Sequence, residues 1–101
     1  MEPEEHYRRL ERMYASAPIN GTVPSRLEVE HGRAVVTIDV RPELFHAAGS
    51  LHGSIYFKAL DDAAFFAANS VDQEGFTVTA RFEVELLAPV TRGPLRAVGA
   101  L

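Results

Sequence analysis

At 101 residues, with 47% hydrophobic and 24% charged content, the chain describes one soluble globular domain around a single core. A net charge of −4 with ten scattered Lys and Arg argues against a nucleic-acid partner, and the absence of cysteine excludes disulfides, thiolate metal sites and cysteine nucleophiles. No stretch reaches the roughly 18 apolar residues of a membrane span, and the charged start "MEPEEHYRRLERMY" has no signal-peptide apolar centre, so a cytoplasmic protein without a membrane partner is expected.

The opening segment sets Tyr7, Leu10 and Tyr14 at helical spacing, with Pro3 and acidic residues early and Arg8, Arg9 and Arg12 later, as the helix dipole favours. It predicts an amphipathic helix within residues 1–20, followed by a loop at "SAPINGT". "SRLEVEHGRAVVTIDV" alternates on both sides of His31-Gly32 and predicts a β-hairpin with one wet face. Pro42 closes it, and "ELFHAAGSLHG" reads as a loop.

The segment at 49–70, "GSLHGSIYFKALDDAAFFAANS", is apolar around nearly its whole helical circumference, which predicts an enclosed helix. Beyond it, "FTVTARFEVELLAP" sets Phe76, Val78, Ala80, Phe82, Val84 and Leu86 against Thr77, Thr79, Arg81, Glu83 and Glu85, the strongest strand signal of the chain. "VTRG" is a turn and "PLRAVGAL" begins another alternating run that reaches the last residue, so further sheet is expected beyond it. Only strands are available to enclose the helix, so an antiparallel sheet curled around one long central helix is the simplest α+β architecture.

On that helix Lys58, Asp62 and Asn69 share a narrow sector with Phe65, while Asp61 sits about 100° away, toward Phe57 and Ala68. Asp62 has Lys58 one turn earlier as an ordinary ion-pair partner. Asp61 has no charged partner on the helix; it is either a carboxylate pushed toward a higher pKa by apolar neighbours, a candidate base or nucleophile, or part of a polar sector facing solvent or another subunit. His52 is placed to cap the helix, and Gly53 offers an unpaired N–H at its start, suited to a carbonyl oxygen gaining negative charge. His6 and His31 are expected to be exposed. No histidine pair has metal-ligand spacing, so no metal is expected.

The His52-Gly53 pair, the long apolar helix with Asp61 nine positions after His52, and the later strand ending at Pro89 resemble the hotdog-fold acyl-CoA thioesterases of the PaaI-like branch. The resemblance covers roughly 25–101, so the whole chain is expected to be one hotdog domain, 25–101 its core cut before its last strands, with 1–20 an additional N-terminal helix and loop. It implies Asp61 as base or nucleophile, Gly53 N–H as polariser of the acyl carbonyl, His52 as shaper of the loop, and Thr79, ten residues before Pro89, as the hydroxyl that holds the attacking water. It further matches Gly49 to the upstream glycine of the motif. Ser54 stands where the family has a second Gly, its own amide remaining a donor, and His46 where it often has Asn.

Tyr56 and Phe57 are candidates for the acyl pocket or for the core, and Arg81 for a coenzyme A phosphate contact or an ion pair with a neighbouring Glu. Arg92 shares the Arg81 reading. The implied reaction is hydrolysis of an acyl-CoA-type thioester, with no cofactor besides the coenzyme A half of the substrate, in a homodimer or homotetramer. The alternatives are a non-catalytic acyl-CoA-binding hotdog protein and a hotdog hydratase or dehydratase.

Overall fold

A computed structural model describes residues 1–75 and 77–101; Phe76, named above in a strand face, lies outside them. Helix α1 spans Pro3–Ala15, opened by the proline and by Glu4 and Glu5 in its first turn, with Arg12 in its last. Its buried stripe is His6, Tyr7, Leu10 and Tyr14. The expectation of an exposed His6 is corrected: the ring is buried and its Nε2 lies 2.8 Å from the Asn69 carbonyl oxygen, a contact made only because α1 packs beside the end of the long helix. His31 is exposed. Within the expected loop, Ile19–Thr22 closes one helical turn, α2, and buries Asn20, whose Nδ2 donates to the Tyr14 carbonyl at 2.7 Å.

Strands β1 (Ser25–Glu30) and β2 (Arg33–Asp39) form the expected hairpin, with Gly32 at φ +69° in its turn. β3 (Pro94–Ala100) pairs antiparallel with the other edge of β2, giving the order β1-β2-β3. The period of two points Ala34, Val36 and Ile38 inward, each fully buried. Against them lies α3 (Gly53–Asn69), presenting Ile55, Ala59, Ala63, Phe66 and Ala67. Small residues at 59, 63 and 67, one turn apart, let the helix approach closely, and at Gly99 the approach is so tight that a methyl would overlap the Ala63 carbonyl group.

Two expectations from the sequence are corrected. The three strands cover one side of α3 only, so Phe57 is 43% and Leu60 37% exposed instead of enclosed. Residues 77–89 join no ladder; they run alongside α3 in the opposite direction, held by side chains. Alternation signals a strand only where a neighbouring strand accepts its backbone bonds; β1 and β3 each keep an outer edge, but this segment lies along α3 and pairs with neither. Without a ladder to flatten the segment, residues from both predicted faces turn to the helix: Thr79 to Asp61, Phe82 to Phe57, and Leu86 to Gly53. Among the described residues no helix is long and apolar enough to cross a membrane.

Candidate active site

The two adjacent aspartates of α3 diverge as their 100° offset requires. Asp62 Oδ2 accepts from Lys58 Nζ at 2.8 Å and from Tyr14 OH at 2.6 Å. Lys58 Nζ also lies 2.6 Å from Asn20 Oδ1, 3.0 Å from Tyr14 OH and 3.2 Å from Ser25 Oγ, so one ammonium ties α3 to α1, α2 and β1. Burial, reinforced by the hydrogen bond to Asp62, pushes the Tyr14 phenol well above its ordinary range and keeps it a donor. The i,i+4 pair expected from the sequence is thus the centre of a wider polar cluster. Asn20 and Ser25 carried no sequence signal for it.

Asp61 faces the other way, half-buried, and its Oδ1 accepts from Thr79 Oγ1 at 2.6 Å. Thr79 is held there by a two-way amide clamp at the end of α3, where Thr77 N–H donates to Asn69 Oδ1 at 3.0 Å and Asn69 Nδ2 donates to the Thr77 carbonyl at 3.2 Å. Asn69 is 1% exposed, and its placement in the polar sector of the wheel was the only hint of this role. Asp61, Phe65, Ala68, Thr79, Arg81 and Phe82 line a cleft of about 240 Å³. Arg81 is exposed, and neither it nor Arg92 has an ion pair among the described residues.

At the other end of α3, His52 is the cap, its Nδ1 accepting from Ser54 N–H at 3.1 Å with Ser54 Oγ 2.8 Å away. The Ser54 amide is therefore committed to the cap, whereas Gly53 N–H has no acceptor among the described residues. The preceding loop is a small hairpin: Phe45 bridges Leu51, His46 N–H donates to the Ser50 carbonyl at 2.9 Å, and Gly49 turns the chain at φ +87°, a conformation that favours glycine. Leu51 N–H, bonded to the Val90 carbonyl at 2.8 Å, pins this loop to the far end of the 77–89 segment. His46, Ser50, Gly53, Tyr56, Leu86 and Leu87 line a second cleft, of about 290 Å³. Tyr56 is half-buried, packs against the edge of the core and donates to the Ala88 carbonyl at 3.3 Å, whereas Phe57 is exposed and stacks edge-on against Phe82 at 4.8 Å.

Asp61 and Thr79 are therefore brought together, as are His46, Gly53 and Tyr56, but the two groups line different clefts. Gly53 and Asp61 are eight residues apart on one helix, about 12 Å along its axis. A further cavity of about 540 Å³ lies elsewhere, between α1 and the end of α3; none of the site residues expected from the sequence lines it. No group of three or more His, Asp or Glu among the described residues could hold a metal ion.

An antiparallel sheet laid on one long helix is the layout of the hotdog fold. The PaaI protein of the E. coli phenylacetic acid degradation operon has this fold at TM-score 0.80 and 24% identity, over 95% of this chain and 70% of that one. The thioesterase HI1161 of Haemophilus influenzae does so at TM-score 0.77 and 18% identity, over 91% of this chain and 65% of that one. A thioesterase family protein of Silicibacter pomeroyi is 27% identical at TM-score 0.75, over 94% of this chain and 68% of that one.

The thioesterase superfamily profile matches residues 48–101, more than half of the chain. The protein of Saccharolobus solfataricus named "Putative esterase SSO2140" is 34% identical over 73 residues, 72% of this chain and 52% of its own length. The chain belongs to the thioesterase superfamily, and it spans about half the length of the curated relatives it matches.

Proposed function

We propose that this protein hydrolyses an acyl-CoA-type thioester to a free acid and a thiol. The observation that carries the reading is the Thr79–Asp61 hydrogen bond, which occupies one carboxylate oxygen, Oδ1, and leaves Oδ2 without a partner among the described residues. Thr79 orients the carboxylate and helps hold a water; Oδ2 takes that water's proton as it attacks the acyl carbon and passes it to the thiolate released as the C–S bond breaks, or Oδ2 attacks the carbon itself, expelling the thiolate and forming a mixed anhydride that water then hydrolyses. Gly53 N–H donates to the acyl oxygen as negative charge develops on it, and His52 holds the loop that presents this donor. Tyr56 and Phe57 flank the acyl group, Arg81 faces the coenzyme A phosphates, and no cofactor is needed beyond coenzyme A as part of the substrate.

The separation of Gly53 from Asp61 supports a site assembled from two copies, the amide donor of one chain meeting the carboxylate of the other. The 77–89 segment favours this assembly, since its backbone has no ladder and Val78, Val84, Leu86 and Leu87 are exposed. A homodimer, or a homotetramer built from two, is the partner we assign, in the cytoplasm and without a nucleic acid or a membrane. Thiol release from acetyl-, hexanoyl- and benzoyl-CoA tests the reading. Release that disappears in Asp61→Asn and persists in Asp62→Asn supports it; tight binding of all three without release replaces it with a non-catalytic acyl-CoA-binding protein.

A further inference from the structure

The His46–Ser50 pair has no part in the reaction as described, yet its protonation state follows from its neighbours. Ala48 N–H donates to His46 Nδ1 at 3.0 Å, and a backbone amide can only donate, so Nδ1 carries the lone pair. In the neutral ring the proton is then on Nε2, which lies 2.9 Å from Ser50 Oγ and donates to it. The Ser50 hydroxyl proton is left with no acceptor among the described residues. Ser50 is half-buried, fixed by the backbone pairing of its carbonyl with His46 N–H, and lines the same cleft as Gly53. No carboxylate and no cation lines that cleft, so the two donors are open to solvent and to the acceptor oxygen of a bound molecule.

We infer that Ser50 is a catalytic residue of the thioester reaction, its hydroxyl donating to the acyl oxygen beside Gly53 N–H, with His46 as the positioning residue that sets and polarises it. The chain of donors runs in one direction, from Ala48 N–H to His46, from His46 Nε2–H to Ser50 Oγ, and from Ser50 Oγ–H to the substrate, and each bond strengthens the next. The same proton placement excludes Ser50 as a nucleophile activated by His46, because the nitrogen facing the hydroxyl already bears its hydrogen. No proton is transferred along the chain; the hydroxyl stabilises the charge that builds on oxygen as the carbonyl is attacked. The inference rests on the thioesterase reading and names a further donor for it.

The test is steady-state thiol release from hexanoyl-CoA by the wild type, Ser50→Ala, His46→Gln and His46→Leu, with circular dichroism melts to confirm folding. Removing one such donor is expected to lower kcat about 10²-fold in Ser50→Ala, with KM changed by less than about threefold. His46→Gln, which keeps an N–H for Ser50 Oγ, is expected to retain more kcat than His46→Leu, and nitrogen NMR of the wild type is expected to show His46 as the Nε2–H form. A kcat for Ser50→Ala within about twofold of wild type, a His46 protonated on Nδ1 alone, or a hexanoyl group found covalently on Ser50 overturns the inference.

If the wild type releases no thiol, the thioesterase reading fails by itself, and Ser50 is then judged by binding of the non-hydrolysable ketone 2-oxoheptyl-CoA. Weaker binding by Ser50→Ala supports the donor role, and equal binding rejects it.

Discussion

Thr79 Oγ1 donates to Asp61 Oδ1 across 2.6 Å, joining two residues 18 apart in the chain. The bond exists because the Asn69 clamp starts the 77–89 segment back along α3. If Asp61 is the base or nucleophile and Thr79 orients it, Asp61→Asn lowers kcat about 10³-fold, and Thr79→Val, which keeps the shape and loses the donor, lowers it about tenfold. Thiol-release kinetics with melting curves separate these losses from unfolding. Equal activity in both variants and the wild type rejects the site.

Lys58 and Asp62 act on stability. Their side chains are 13% and 24% exposed, and Lys58→Met strands the Asp62 carboxylate, with only Tyr14 OH still bonded to it. Urea unfolding is expected to show a loss of about 3 kcal/mol. Replacing both, with Met at 58 and Leu at 62, is expected to recover much of that loss, since no uncompensated charge remains.

The Tyr14 phenol gives a pH signature. Its titration in the fold lies above the ordinary value of about 10 because it is buried and bonded to Asp62, so the folded state holds the proton more tightly than the unfolded chain does. The contribution is complete below about pH 10 and is lost as pH rises toward the native titration. Urea midpoints measured from pH 8 to 11 should therefore fall at the alkaline end, and Tyr14→Phe should flatten that fall. At the acid end the opposite sign applies to Asp39, which the Arg26 hydrogen bond holds below its ordinary value: its contribution is present at neutral pH and is lost as pH falls through its native titration. The Asp39 side chain is 44% exposed, so that effect is small and screened by salt.

Gly99 is where β3 meets the backbone of α3 at Ala63 and Ala64. Gly99→Ala must push the strand or the helix away, and a loss of about 2 kcal/mol is expected, read as a lower melting temperature. Gly21→Ala, where no atom lies within 4 Å of the added methyl, serves as the control and is expected to melt near the wild type.

Leu87 is 87% exposed on the unpaired segment. If that segment joins two copies, Leu87→Glu places charge in the contact and yields monomers by sedimentation velocity, with thiol release lost alongside. A wild type that sediments as a monomer at all concentrations removes the two-copy site.

Local pattern carried far along this chain. The apolar, Ala-rich run in 53–69 and the alternation in 25–39 and 94–100 depend on neighbours a few residues away, and they became a helix, though not an enclosed one, and strands. The Lys58–Asp62 pair was legible for the same reason, being one helical turn apart. Because the helix offsets adjacent residues by about 100°, the divergence of Asp61 from Asp62 was legible as well.

Only the tertiary structure decided relations between distant residues. Alternation in 77–89 states which faces a strand would have but not whether a neighbour lies within reach of its backbone bonds, and here the segment lies along α3 and pairs with neither outer edge of the sheet. Burial of His6 depends on α1 lying beside Asn69, 63 residues away, and the donor chain through His46 and Ser50 on a hairpin that folds two side chains together. The sequence by itself determined which groups are on α3 and the angles between them; packing decided which of those groups meet a partner, because hydrogen bonds and burial are set by distances that the chain acquires only when it folds.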